Sequence, residues 1–186
     1  MPTIKKISQT KTGDAIHRHS PFLWYKIGRY VSALIRLVTK SWSGHTATII
    51  YVMGQVFVAE SDEGKIQLIP YSLWAKDAEI VIGRKMELSN SKRRKLASLA
   101  LSQLGKKYDF KGTVIDQLIL QLRGKWYGHT GSSAEDKMYC SEYFAWIYNK
   151  VLGMYPDWYK TAPNVLYNDN RFTWIYKGKA KDLITI

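Results

Sequence analysis

Cys140 is the only cysteine in 186 residues, and it stands in the stretch Met138-Tyr139-Cys140-Ser141-Glu142-Tyr143-Phe144-Ala145-Trp146-Ile147. Apolar residues follow at Phe144, Ile147, Tyr148, Val151 and Leu152, the i, i+3, i+4, i+7, i+8 spacing of one helix face. Gly153 then supplies a C-terminal cap. This pattern predicts a helix that opens at or just before Cys140. A helix N-terminus offers unpaired N–H groups and the positive end of the macrodipole, both favouring a thiolate over a thiol. Free cysteines are more often small buried apolar groups. A base and a group to orient it decide between the two.

Four histidines are available. His45 follows the small-residue turn Ser41-Trp42-Ser43-Gly44 and opens a β-branched strand, Thr46-Ala47-Thr48-Ile49-Ile50-Tyr51-Val52. A side chain at a strand start is held rigidly, as a general base must be. His129, in the polar loop from Trp126 to Lys137, is the rival base. Glu60 closes the next strand, Val56-Phe57-Val58-Ala59-Glu60, and can accept a hydrogen bond from an imidazole and favour its charged form. Asp62 and Glu63 are substitutes. The register raises an obstacle: a Gly54-Gln55 hairpin loop sets Glu60 opposite Ile49, about 13 Å from His45. A triad therefore needs a wider turn, a bulge or a non-adjacent arrangement of strands. His17 and His19 share one face of a short strand begun by Ala15-Ile16, but two ligands without a third are a poor metal site, and they read as surface histidines.

The elements that must hold these groups follow in order. Residues 1–12 are polar and lysine-rich, expected as a flexible basic tail before a single domain over 13–186. Ile27, Tyr30, Val31, Leu34 and Val38 predict an amphipathic helix. Gln67 lies in a third strand, Ile66–Ile69, and Glu79–Ile82 is a fourth. Ser89-Asn90-Ser91 caps a helix to Leu104 with Leu96, Leu99, Ala100 and Leu104 inward. The basic run Lys92-Arg93-Arg94-Lys95 lies in its first turn, where the dipole disfavours it, so it serves solubility or an anionic ligand. Val114, Ile115, Leu118, Ile119 and Leu122 give another helix, ended by Gly124. Phe172–Tyr176 is a last strand. The count, five or six short strands and four helices, makes an α+β domain.

Composition removes several classes. One cysteine excludes an internal disulfide. No apolar run follows the basic N-terminal residues, so no signal peptide is expected, and no stretch is long enough to span a bilayer. These features lead to the expectation of a soluble cytoplasmic protein. The formal charge of +13 suggests an anionic polymer or membrane surface as partner. No specific nucleic acid is expected, because zinc-ligand spacing, RNA-binding signatures and a helix-turn-helix are all missing.

Six short motifs, in order, carry a resemblance: Gly13-Asp14, Ser43-Gly44-His45, Val58-Ala59-Glu60, Gly105-Lys106-Lys107-Tyr108-Asp109, Tyr139-Cys140-Ser141-Glu142 and Ala162-Pro163-Asn164-Val165-Leu166. This layout resembles the circularly permuted NlpC-like branch of papain-fold cysteine hydrolases, which includes relatives of lecithin-retinol acyltransferase. A glycine before His45 and a long insert between Asp109 and Cys140 depart from the pattern without removing a reacting group. The resemblance implies a small antiparallel sheet packed against helices. It also implies Cys140 as nucleophile, His45 as base and Glu60 as the orienting acid. Tyr108 and Tyr139 are expected to line the cleft, and no metal or organic cofactor is implied. The expected reaction is attack on an amide, ester or thioester carbonyl of a peptide, ester or lipid acyl substrate, with cell-wall peptides preferred. The alternatives are a lipid acyltransferase or thioesterase, or a non-catalytic basic binding module.

Overall fold

The structure is a computed structural model, described here over residues 4–19, 36–37, 41–62, 64–75, 78–109 and 111–183. Six strands form one antiparallel sheet: β1 (Ala15–His19), β2 (His45–Val52), β3 (Gln55–Asp62), β4 (Lys65–Pro70), β5 (Glu79–Arg84) and β6 (Thr173–Lys179). Their order across the sheet is β4-β3-β2-β1-β5-β6. The helices are α1 (Tyr71–Trp74), α2 (Asn90–Ser102), α3 (Gln117–Arg123), α4 (Cys140–Leu152) and α5 (Pro163–Tyr167). A π-helical turn over Gly112–Asp116 leads into α3, and Gly124 ends that helix at φ 66°. Apart from residues 36 and 37, the amphipathic helix expected over Ile27–Val38 lies outside the described residues.

Alternation along the strands divides the core in two. One face buries Ala15, Ile50, Ala59 and Ile66 against Leu96 and Ala100 of α2 and Tyr143, Phe144 and Ile147 of α4. The other buries Ile16, Ile49, Val58, Ile80 and Ile82 against Tyr71 and Trp74 of α1 and the C-terminal Ala180 and Leu183. Each large apolar side chain so buried contributes about 1.5–3 kcal/mol. Leu104, expected inward, is exposed, because α2 stops at Ser102.

Residues 4–12 do not form the loose tail expected of them. Ile4 is buried among the second cluster, and its N–H donates to the Ile175 carbonyl at 3.0 Å. A 3-10 turn over Ile7–Gln9 follows. The apolar spacing of Ile4 and Ile7 fits one side of such a turn, a signal that the neighbouring lysines obscure.

Gly13 and Asp14 lock the start of β1. Gly13 has φ 87°, and a Cβ there would lie 2.8 Å from the Leu96 Cδ1. Its carbonyl accepts from the Tyr148 hydroxyl on α4. The fully buried Asp14 carboxylate accepts from Arg84 at 2.7 Å and lies 3.7 Å from Arg93. Arg93 is itself buried and donates to the Leu88 and Thr12 carbonyls. The basic run of α2 is therefore not uniformly solvated: Lys92, Arg94 and Lys95 are exposed, while Arg93 is structural. Removing one partner of a buried ion pair strands the other. Asp14→Ala should destabilise the protein by about 3 kcal/mol or more in urea unfolding; a loss below about 1 kcal/mol would show that water replaces the carboxylate.

Candidate active site

The hairpin between β2 and β3 sets the geometry. Thr48 pairs with Ala59 and Val52 with Gln55, so the loop is Met53-Gly54 and not Gly54-Gln55. Both residues are left-handed, at φ 49° and 79°, the two-residue turn whose twist matches that of the strands. Moving the loop back one residue slides Glu60 two positions along β2. Continuing the register puts it opposite Ala47, diagonal to His45 and on the same face. The anticipated gap closes: His45 Nε2 and Glu60 Oε2 lie 2.7 Å apart.

Glu60 is buried and holds two further donors. Trp74 Nε1–H donates to Oε2 at 2.7 Å and Gln67 Nε2–H to Oε1 at 3.2 Å. Sequence reasoning missed both. Gln67 sits directly across from Glu60 in the β3–β4 register, so a correct turn would have found it. Trp74 arrives from α1 and left no signal. Burial alone would raise the Glu60 pKa. The hydrogen bond and positive charge of His45, with Arg18 and the Trp74 N–H, outweigh it and hold the carboxyl well below its usual range.

His45 is shifted the other way. Burial and the Arg18 guanidinium push its pKa down, but the negative charge of Cys140, a hydrogen bond to its sulfur and the bond to Glu60 win, and the ring is held above its ordinary value. With Nε2 on the carboxylate, Nδ1 is the nitrogen left for the sulfur. His45 thus has the Glu60 carboxylate and the Cys140 sulfur as neighbours, and all three side chains are buried.

Cys140 is the first residue of α4, after Tyr139 in extended conformation at φ −85°, ψ 174°. Glu142 reaches back to accept the Tyr139 N–H at 3.2 Å, and Ser141 Oγ donates to the Thr161 carbonyl at 2.8 Å. Gly153 closes the helix at φ 66°. These contacts fix the angle at which the helix presents its first residue.

His129 is exposed in its loop, and it is His45 that meets Cys140 and Glu60. Tyr139 is buried, its hydroxyl accepting from Gln117 Nε2–H at 2.6 Å and donating to the Tyr159 carbonyl at 3.4 Å. Tyr108 is half-buried, with its N–H on the Gly64 carbonyl at 2.9 Å. Asp62 pairs with Arg18 at 3.1 Å, and Glu63 lies outside the described residues. His17 is not a surface residue. β1 lies between β2 and β5, which pair both its edges, and the Tyr167 ring stands edge-on to His17 at 5.6 Å on the open face. His17 is buried with Nδ1 3.1 Å from Thr46 Oγ1; burial first, and the charge of His45 second, lower its pKa to about 3. It stays neutral beside the imidazolium. His19 is half-buried, with Nδ1 2.6 Å from the Trp42 carbonyl.

An antiparallel sheet whose histidine and glutamate strands precede the cysteine helix has the circularly permuted papain-like architecture, the fold of a class of cysteine peptidases. Residues 9–117 match the model of the permuted papain-like amidase family C92, YaeF/YiiX, and the chain belongs to that family. The matched stretch includes His45 and Glu60 and ends before Cys140. Among solved structures, the metalloprotein YiiX from Escherichia coli O157:H7 is similar at 22% identity, with a TM-score of 0.68 over 92% of this chain and 99% of that one. A comparison with curated proteins returns no significant match. Among the described residues, no helix is long and apolar enough to cross a membrane.

Proposed function

We propose that this member of an amidase family is a cysteine-dependent hydrolase of amide bonds, in which Cys140 is the nucleophile, His45 the acid and base, and Glu60 the group that orients and charges the ring. The observation that carries this reading is the buried His45, 2.7 Å from the Glu60 carboxylate and hydrogen-bonded to the Cys140 sulfur, two neighbours that raise the pKa of its ring. The Cys140 sulfur adds to the substrate carbonyl carbon, and the carbonyl π pair moves onto oxygen. The Cys140 N–H, at the start of α4, is the donor suited to that oxyanion. As the tetrahedral centre collapses, the His45 imidazolium gives its proton to the leaving amine and a thioester remains on sulfur. The now neutral imidazole takes a proton from water, which adds to the thioester. Release of the acid regenerates thiolate and imidazolium. Esters and thioesters would enter by the same route; the amide is preferred because the family is one of amidases.

The solved relative is described as a metalloprotein. In this chain His45, Glu60 and Asp62 each offer a ligand atom, all within 4.8 Å of one another. The donor set does not fit a cation: Glu60 Oε2 is taken by Trp74 N–H and His45, and Asp62 faces the Arg18 guanidinium at 3.1 Å. No step is routed through a metal.

Acyl-enzyme formation is the direct test. Folded protein mixed with excess p-nitrophenyl acetate and quenched in acid should carry one acetyl group, and peptide mapping should place it on Cys140. An acetyl group confined to lysines would remove the nucleophile assignment.

A further inference from the structure

Beside the site, three lysines stand in register. Lys65, at the start of β4, is bridged to Lys107, and Lys107 is bridged to Lys137. The flanking bonds, Ile66 N–H to the Lys106 carbonyl at 2.7 Å and Tyr108 N–H to the Gly64 carbonyl at 2.9 Å, make Lys65 and Lys107 a non-hydrogen-bonded pair. In such a pair the backbones approach to about 4.5 Å and both side chains leave on one face. Like charges directly opposite one another are destabilising, so this row needs an explanation outside the fold.

Local acids do not supply it. Lys137 Nζ lies 3.3 Å from Asp109, which answers one charge. Asp62 sits across β3–β4 from Lys65, but its carboxylate is turned to Arg18. Lys65 and Lys107 are exposed and make no ion pair among the described residues.

The face they occupy is that of His45 and Glu60, the one opposite the face on which the body of α4 packs. Asp62 shares a face with Lys65 opposite it, and with Glu60 two residues back along β3. Glu60 shares its face with His45. The chain from Lys137 to Cys140 advances at most about 10 Å, and Lys107 and Lys65 follow at one and two strand spacings of about 5 Å beyond it, so the row runs outward from the sulfur over the span of a short peptide.

We propose that Lys65 and Lys107, with Lys137 beside them, form a subsite for a carboxylate carried by the substrate, so that the preferred substrates are acidic peptides or other acyl compounds bearing a negative charge near the cleaved bond. This rests on Cys140 being the reactive group, and the test separates the two. The probes are the α-amides of N-iodoacetyl-glutamate and N-iodoacetyl-glutamine, of which only the first carries a charge, with iodoacetamide as the reference. At low ionic strength the glutamate probe should alkylate Cys140 about fourfold faster than the glutamine probe, the factor expected of two cations at about 10 Å in solvent. Lys65→Gln/Lys107→Gln should bring the ratio to near one without changing the iodoacetamide rate. Lys92→Gln/Lys95→Gln, which removes the same net charge from the exposed face of α2, should leave the ratio intact. A wild-type ratio near one, or an equal fall in both double variants, would overturn the subsite and leave the nucleophile standing. Failure of all three reagents to label Cys140 would instead overturn the reading of the site on which this rests.

Discussion

Cys140→Ala should abolish turnover of any amide or ester substrate, by about 10⁴-fold or more, with the fold intact. Removing a nucleophile that acts as a unit with its base typically costs that much. The sulfur is buried, so its loss leaves a small void worth about 1 kcal/mol, and the urea midpoint should fall by only about 0.5 M. Pairing initial rates with the unfolding curve of the same preparation distinguishes a chemical loss from a structural one. A variant retaining a tenth or more of the wild-type rate would mean that another group does the chemistry.

The second large effect belongs to His45. His45→Ala removes the acid that protonates the leaving amine and the cation that faces the sulfur, and kcat/KM should fall by about 10³-fold or more. Iodoacetamide labelling of Cys140 near neutral pH should slow with it, while His129→Ala changes neither. Glu60→Gln is the graded companion. The carboxylamide can still accept from the ring but no longer stabilises its charge, so the His45 pKa should fall.

The sign of the pH effect follows. The His45 pKa is raised, so the imidazolium persists above the ordinary value of about 6.5, and activity should decline only as pH rises through the elevated value. In Glu60→Gln that alkaline limb should move to lower pH. The same shifts act on stability. The contribution of His45 is fully present below about pH 6.5 and is lost as pH rises through its folded pKa. That of Glu60, whose pKa is depressed, is present above about pH 4.3 and lost as pH falls through its folded value. Both are therefore fully present between about pH 4.3 and 6.5. An alkaline limb unmoved by Glu60→Gln would detach the carboxylate from the base.

Much of this site was legible because each part carried a local mark. Cys140 stood before a helical repeat that ended in Gly153, and both helix ends fall where that spacing placed them. His45 opened a β-branched run and is the first residue of β2. The fold class followed from the order of such pieces. What escaped depended on a turn or on distant contacts. Met53 is wholly exposed at φ 49°; a methionine gives little hint of left-handed backbone, which Asn-Gly would have announced. That single residue decided whether Glu60 could reach His45. Trp74, the burial of His17 and the role of Arg93 arise from packing between segments far apart in sequence, where no periodicity operates. α5 spans only Pro163–Tyr167, too short to show a repeat.

The bond from the Ile4 N–H to the Ile175 carbonyl sets an order of events in synthesis. The histidine and glutamate strands leave the ribosome early, but the sheet face that Ile4 covers has no edge strand until β6 emerges. The helix that carries Cys140 follows them as well. His45 and Glu60 can therefore pair before the sulfur is in place, and the sheet closes only once β6 has been made. The cost falls on the first strands, which must wait unlatched, with apolar faces exposed to chaperones and to one another.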